Sequence, residues 1–183
     1  MLVSVSVGPS VNRVNDGRYA LCTLGILMHT QNSDSPRIRV FPQPLSVATL
    51  LLGIAIHFIH PVMLSPQLFL RSLGTTLTVA ACVTGFSARS EMLKSGTNVN
   101  PDKPATEVVT RGPFRFSRNP MYFSFCLLNC GIGFLLCDAV VVSLTLALMV
   151  ILHFAVVLRE ERYLQAKFGE EYLIYCRSVR RWL

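Results

Sequence analysis

Residues 121–158 carry one formal charge in 38 positions, Asp138, and charge closes them on both sides: Arg118 before, Arg159, Glu160 and Glu161 after. A helix needs ~20 apolar residues to cross a bilayer. A run of this length therefore holds two crossings and a tight turn, and Asp138 marks the turn. In hydrocarbon every backbone polar group must be satisfied within the segment or by a closed barrel, so an apolar run this continuous folds as helix. Arg118 stands 21 residues before Ala139 and Glu160 stands 21 after it. Positions equidistant from the turn of an antiparallel hairpin share one depth, so the two polar clusters should meet at one membrane face. Carboxylates at the end of an apolar span are costly to desolvate and mark a functional site by default.

Two more apolar runs precede the hairpin, at 45–64 and 68–86. The expected fold class is an all-α integral membrane protein with about four transmembrane helices and a C-terminal cytoplasmic amphipathic helix. The net charge of +7 first suggests a nucleic-acid partner, but its distribution follows topology instead. Four arginines (Arg13, Arg18, Arg37, Arg39) precede the first run, six basic residues lie between the second and third, and six follow the fourth. That places 16 of the 17 basic residues on one side, with Arg71 alone on the other. The positive-inside rule then puts both termini and the long loop in the cytoplasm. The expected partners are the lipid bilayer and a membrane-soluble molecule, with no nucleic acid, and the expected location is a bacterial inner membrane.

Residues 1–43 read as a disordered tail before a domain at 44–183. The apolar stretch at 20–28 is too short to span, no small-x-small cleavage site follows it, and an alternative start at Met28 would make 1–27 a gene-start artefact. Pro44 and Pro61 frame a first helix from about Leu45 to Ile59, and a second runs from about Gln67 into Arg89. Residues 90–117 form a basic, proline-marked loop, suited to a connector or a binding lid. Leu164 and Phe168 share a helix face, and Gly169 should end that helix. Gly131 and Gly133 suggest a close helix contact. The six cysteines form no CxxC pair and no metal-ligand spacing, so no metal is expected. His57, His60 and His153 have no partner at useful spacing and read as packing or interfacial residues.

Asn119 reads as an N-cap and Pro120 as a first helical residue. A helix N-terminus favours an anionic group. Arg115 and Arg118 add positive charge beside it, while Glu160 and Glu161 face it across the hairpin. Together they suit a zwitterion such as an amino-acid moiety, with Phe114, Phe116 and Tyr122 as flat apolar walls. The structural alternative is an Arg–Glu pair that only anchors helices, or arginines that bind lipid phosphates.

The segment Thr110-Arg111-Gly112-Pro113-Phe114-Arg115-Phe116-Ser117-Arg118-Asn119-Pro120-Met121-Tyr122 resembles the isoprenylcysteine carboxyl methyltransferase family of membrane enzymes, in its bacterial, phospholipid methyltransferase-like branch. That family shows Arg-His/Asn-Pro-x-Tyr at the start of a helical hairpin. A Glu-Glu pair follows at its end, here Glu160-Glu161, and then Phe-Gly-x-x-Tyr, here Phe168 to Tyr172. Gly96-Thr97 with Pro101 resembles the loop of the bacterial branch. The resemblance implies S-adenosylmethionine at the cytoplasmic end of the hairpin. Its contacts would be Thr106, Glu107, Val108, Val109, Phe114, Asn119, Pro120, Met121, Tyr122 and Glu160, with Arg118, Glu160 and Glu161 as catalytic groups. Two positions depart from the pattern. Phe123-Ser124 stands where x-Gly often follows the tyrosine. Val156 stands where eukaryotic members place an arginine for the prenylcysteine carboxylate, which argues against prenylated protein as acceptor.

The function expected from these readings is methyl transfer from S-adenosylmethionine to a lipid-soluble or lipidated acceptor. Two alternatives are an NADPH-dependent sterol-type membrane reductase and a non-catalytic membrane scaffold protein. The reductase would need basic residues gripping the cofactor's phosphates.

Overall fold

The computed structural model describes residues 40–100 and 103–183. The expectations for 1–39, including the stretch at 20–28 and the start at Met28, lie outside the described residues. The helices are α1 (Pro42–Ile59), α2 (Gln67–Lys94), α3 (Pro120–Leu136), α4 (Ala139–Leu152), α5 (Leu158–Phe168) and α6 (Glu170–Ser178). A 3₁₀ turn, Gly112–Arg115, precedes α3, and a π-helical turn, His153–Val157, joins α4 to α5. The all-α membrane architecture is as the apolar runs dictate. Three helices are long and apolar enough to cross a membrane: Pro42–Ile59, Gln67–Lys94 and the continuous Ala139–Phe168. The expected fourth, α3, has 17 residues. At ~1.5 Å per residue that is about 25 Å, the short end of what spans a bilayer.

The α3 helix lies at the centre, packed on α2 along one side and on α1 and α4 along others. Small residues permit this. A Cβ on Gly74 of α2 would stand 2.7 Å from the Gly131 carbonyl oxygen, and one on Gly131 would stand 2.9 Å from the Thr78 amide nitrogen. Gly133 faces α4 instead, where a Cβ would meet the Val142 amide nitrogen at 2.9 Å. The expected close contact at Gly131 and Gly133 is thus two contacts, with different helices. Ser124 packs against Gly85 of α2, so at this departure from the family pattern the glycine is on the opposite helix. Leu148, Leu152 and Val156, spaced by four, present one fully buried stripe to Tyr122 and Cys126. Such spacing places side chains on a single helix face. Outward faces stay apolar: Phe58 is 82% exposed and Phe86 74%, as a lipid-facing surface requires.

At the end of the bundle near Asp138, the α3–α4 turn docks on the α1–α2 loop. Leu64 N–H donates to the Cys137 carbonyl at 2.7 Å, and Ala139 N–H to that of Val62 at 2.9 Å. Asp138 is fully buried there. Its Oδ1 accepts from Val140 and Val141 N–H, capping α4, and its Oδ2 accepts from Val62 N–H. His57 Nδ1 lies 2.8 Å from the same Oδ2. This corrects the reading of His57 as partnerless. Its partner is 81 residues away, beyond the reach of any local spacing. His153 also has a partner, since Trp182 Nε1 donates to its Nδ1 at 3.3 Å.

Candidate active site

The opposite end of the bundle holds a cavity of about 350 Å³, within the usual range of small-molecule sites. α2 is 28 residues long, about 42 Å at ~1.5 Å per residue. It therefore outruns the bilayer and carries Arg89 and Met92 up as one wall. The start of α3 makes the floor, and Glu160 and Glu161 arrive from α5.

Residues 95–100 and 103–119 cover the cavity and are pinned at several points. Thr106 N–H donates to Thr97 Oγ1 at 3.1 Å, Asn98 Nδ2 to the Pro104 carbonyl at 2.8 Å, and Ala105 N–H to the Tyr163 hydroxyl at 3.2 Å. Val108 packs with Tyr172 and Tyr175, while its neighbour Val109 packs with Ala88 and Phe114. Adjacent residues that face opposite ways bridge α2 and α6. The Tyr175 hydroxyl donates to the Phe114 carbonyl at 2.7 Å. Burial pushes the Tyr172 and Tyr175 phenols up from their ordinary value, so both stay protonated as donors.

Glu107, Val108, Val109, Phe114, Asn119, Pro120, Met121, Tyr122 and Glu160 all line this cavity, as do Arg118 and Glu161. Thr106 does not. It is exposed, and its hydroxyl donates to the Gly96 carbonyl at 3.2 Å, so it staples the cover instead. Arg115 and Phe116 are exposed and off the lining, which removes them as cation and wall. Asn119 holds the N-cap position, but its side chain makes no cap. Its Nδ2 donates to the Arg181 carbonyl at 3.1 Å.

The two glutamates have separate fates. Glu161 is bound by Arg118 at 3.1 Å and by Arg181, whose Nε and Nη2 reach its two oxygens at 2.9 and 2.7 Å. This hydrogen bonding raises the Arg181 guanidinium above its ordinary pKa. Glu160 receives a hydrogen bond from the Tyr122 hydroxyl. Its Oε2 is buried with no hydrogen-bond partner among the described residues, as is Arg118 Nε. An unpaired buried carboxylate oxygen costs several kcal/mol unless a donor meets it, so the cavity wall is built for a ligand that brings a donor or a positive charge.

Tyr163, Tyr172, Tyr175 and Arg181 were not reached by sequence reasoning as site residues. Tyr172 stands in the Phe-Gly-x-x-Tyr motif but carried no assigned role. Nothing in the spacing singles out Arg181. Among the described residues no three His, Cys, Asp or Glu side chains cluster as a metal site.

The all-helical bundle thus carries, at one end of its central hairpin, a largely apolar cavity with Glu160, Glu161 and Arg118 on its wall. The family model for phospholipid methyltransferase matches residues 69–171. The match covers 103 of 183 residues, and the chain belongs to that family. Membership places it in general among the membrane methyltransferases. No curated protein and no solved structure matches the chain. The matched segment begins in α2 and ends in α6, so it includes Arg118, Tyr122 and both glutamates but stops short of Tyr172 and Arg181.

Proposed function

We propose that the chain binds S-adenosylmethionine in this cavity and methylates a membrane-soluble acceptor. The observation that carries the reading is the Glu160 Oε2 atom, buried and unpartnered on the cavity wall beside the Tyr122 hydroxyl. The residues present fit the cofactor. Glu160 would hold its ammonium. Phe114, Tyr122, Tyr172 and Tyr175 supply aromatic walls, and Val108 and Val109 an apolar one. When bound, the cofactor supplies an activated sulfonium methyl, whose bond to sulfur breaks as the bond to the acceptor forms, leaving a neutral thioether. The protein's contribution is then mainly orientation and exclusion of water.

A carboxylate acceptor needs no base, whereas an amine or hydroxyl must lose a proton. Glu161 is already held by two guanidinium groups and Glu160 would be held by the ammonium, so neither is a free base for such an acceptor. The NADPH-reductase reading would rest on Arg89 and Lys103, since Arg118 is paired with Glu161, and it leaves the buried, unpartnered Glu160 oxygen without a role.

Calorimetric titration of S-adenosylmethionine into the purified protein tests the reading. Glu160→Gln should lose one charge-assisted bond, ~1.5–3 kcal/mol, or roughly 10- to 150-fold in affinity. Glu171→Gln, exposed on α6, should change affinity by less than about threefold, since exposed charges contribute ~0–1 kcal/mol. Wild type that binds no S-adenosylmethionine, or Glu160→Gln that binds as wild type does, would sink the proposal.

A further inference from the structure

The residues after α6 fold back onto the segment that opens α3. The Arg180 carbonyl accepts from Arg118 N–H at 3.0 Å. The Arg181 carbonyl accepts from both Ser117 Oγ at 3.3 Å and Asn119 Nδ2 at 3.1 Å. The Arg181 side chain grips Glu161 with three contacts between 2.7 and 3.1 Å. Trp182 then packs on the Tyr122–Leu148–Leu152 core and donates to His153. One residue therefore joins two parts of the cavity wall through different atoms. Its main chain holds residues 117–119, and its guanidinium holds α5. Arg118 closes the loop, bonding Glu161 by its side chain and Arg180 by its amide.

The geometry points to Arg181 as the positioning residue of this cavity: it occupies the Glu161 carboxylate and fixes Asn119, so that Glu160 is the carboxylate left open to the ligand. The inference rests on the reading that the cavity takes S-adenosylmethionine. Arg181 lies outside the residues matched by the family model. It lines no part of the cavity, so its effect must pass through Glu161 and Asn119. Without it, Glu161 keeps only Arg118 and can swing toward Glu160. Two adjacent carboxylates then share the site, and the motif segment loses its tie to α5.

The test uses the full chain in lipid nanodiscs, titrated with S-adenosylmethionine by calorimetry and by the emission of Trp182, the single tryptophan. Arg181→Ala should weaken binding about tenfold or more, and Glu161→Gln should weaken it to a similar degree. The double variant should be no weaker than the poorer single, because both substitutions break one linkage and coupled residues are not additive. Arg181→Lys, which still reaches Glu161 with one charged contact, should recover part of the loss. Ligand should change Trp182 emission in wild type and leave it unchanged in Arg181→Ala. Arg177→Ala, exposed on α6, should match wild type throughout. Arg181→Ala binding within about twofold of wild type, or losses that multiply in the double variant, would overturn the inference. If Arg181→Ala does not fold, wild-type affinity in both Arg181→Lys and Glu161→Gln overturns it equally. Wild type that binds no S-adenosylmethionine overturns the functional reading and this inference together, and is distinguishable because no variant is then needed to see it.

Discussion

Asp138 and Glu160 are carboxylates at opposite ends of one hairpin, and what surrounds them decides what each does. Asp138 meets four donors: the amides of Val140, Val141 and Val62, and His57. Burial presses its pKa upward, but those hydrogen bonds outweigh it and hold the carboxyl below its ordinary value. A depressed folded pKa stabilises the fold at any pH above the unfolded value. That contribution is lost only as the pH falls below the ordinary carboxylate range and through the folded value. Asp138→Ala should therefore lower stability in detergent by about 1–2 kcal/mol at neutral pH, the usual cost of a lost helix cap. The difference from wild type should shrink in strong acid. Equal stabilities at neutral pH would remove the clasp from the fold's energetics. Asp138 as a turn was legible from its place in an apolar run. His57 as its partner was not, because the contact joins residues 57 and 138 across two loops. The same limit hid the division between Glu160 and Glu161. Their position at the hairpin's end follows from counting, but Arg181, which captures one of them, belongs to a segment with no distinguishing pattern.

At the scale of elements, lengths of apolar run and flanking prolines gave the helices to within a few residues. The first helix starts at Pro42 and the second extends to Lys94, five residues past Arg89. The π-helical turn was invisible. Leu158 N–H donates to the His153 carbonyl, five residues back, and such a turn takes in one residue more than an α-turn. It rotates everything after it, so residue counting finds the depth of Glu160 but not the face it presents. Gly131 and Gly85 offer a test of the α2–α3 seam. Glycine to alanine within a helix gains roughly 0.5–1 kcal/mol from backbone entropy alone. At Gly85 the new methyl meets Ser124 Oγ at 2.9 Å, a side-chain group that can turn away at the cost of its 2.7 Å bond to the Met121 carbonyl, so Gly85→Ala should be close to neutral. At Gly131 it meets the backbone of Thr78 and Gly74 at 2.9 and 3.0 Å. The helices must part, at the ~1–3 kcal/mol typical of overpacking. Thermal unfolding in detergent should show Gly131→Ala clearly below wild type and Gly85→Ala not. Equal midpoints for the two would mean that the seam is looser than the contacts describe.

For the whole molecule, the distribution of charge gives an orientation in the membrane. The cavity end carries Arg89, Lys94, Lys103 and Arg118 and the basic residues of α5 and α6, whereas the Asp138 end has Arg71 alone among the described residues. The bias of Lys and Arg toward the cytoplasm sets topology, so the cavity should open to the cytoplasm, where a water-soluble cofactor is available. The length of α3 makes the number of crossings a separate question from the number of helices. Three exposed sites answer both: Ser65 in the α1–α2 loop, Lys94 at the end of α2 and Gln165 on α5. Each is changed to cysteine and labelled in intact cells with a maleimide that cannot cross the membrane, against the wild-type background of six cysteines. Four crossings with a cytoplasmic cavity require Ser65→Cys to label from outside, and Lys94→Cys and Gln165→Cys to label only after permeabilisation. If Gln165→Cys joins Ser65→Cys in labelling from outside, α3 does not cross, and the two glutamates lie on the wrong side to meet Tyr122. If all three labels are reversed, the positive-inside argument fails for this chain, and the cavity faces a compartment where a cytoplasmic methyl donor cannot reach it.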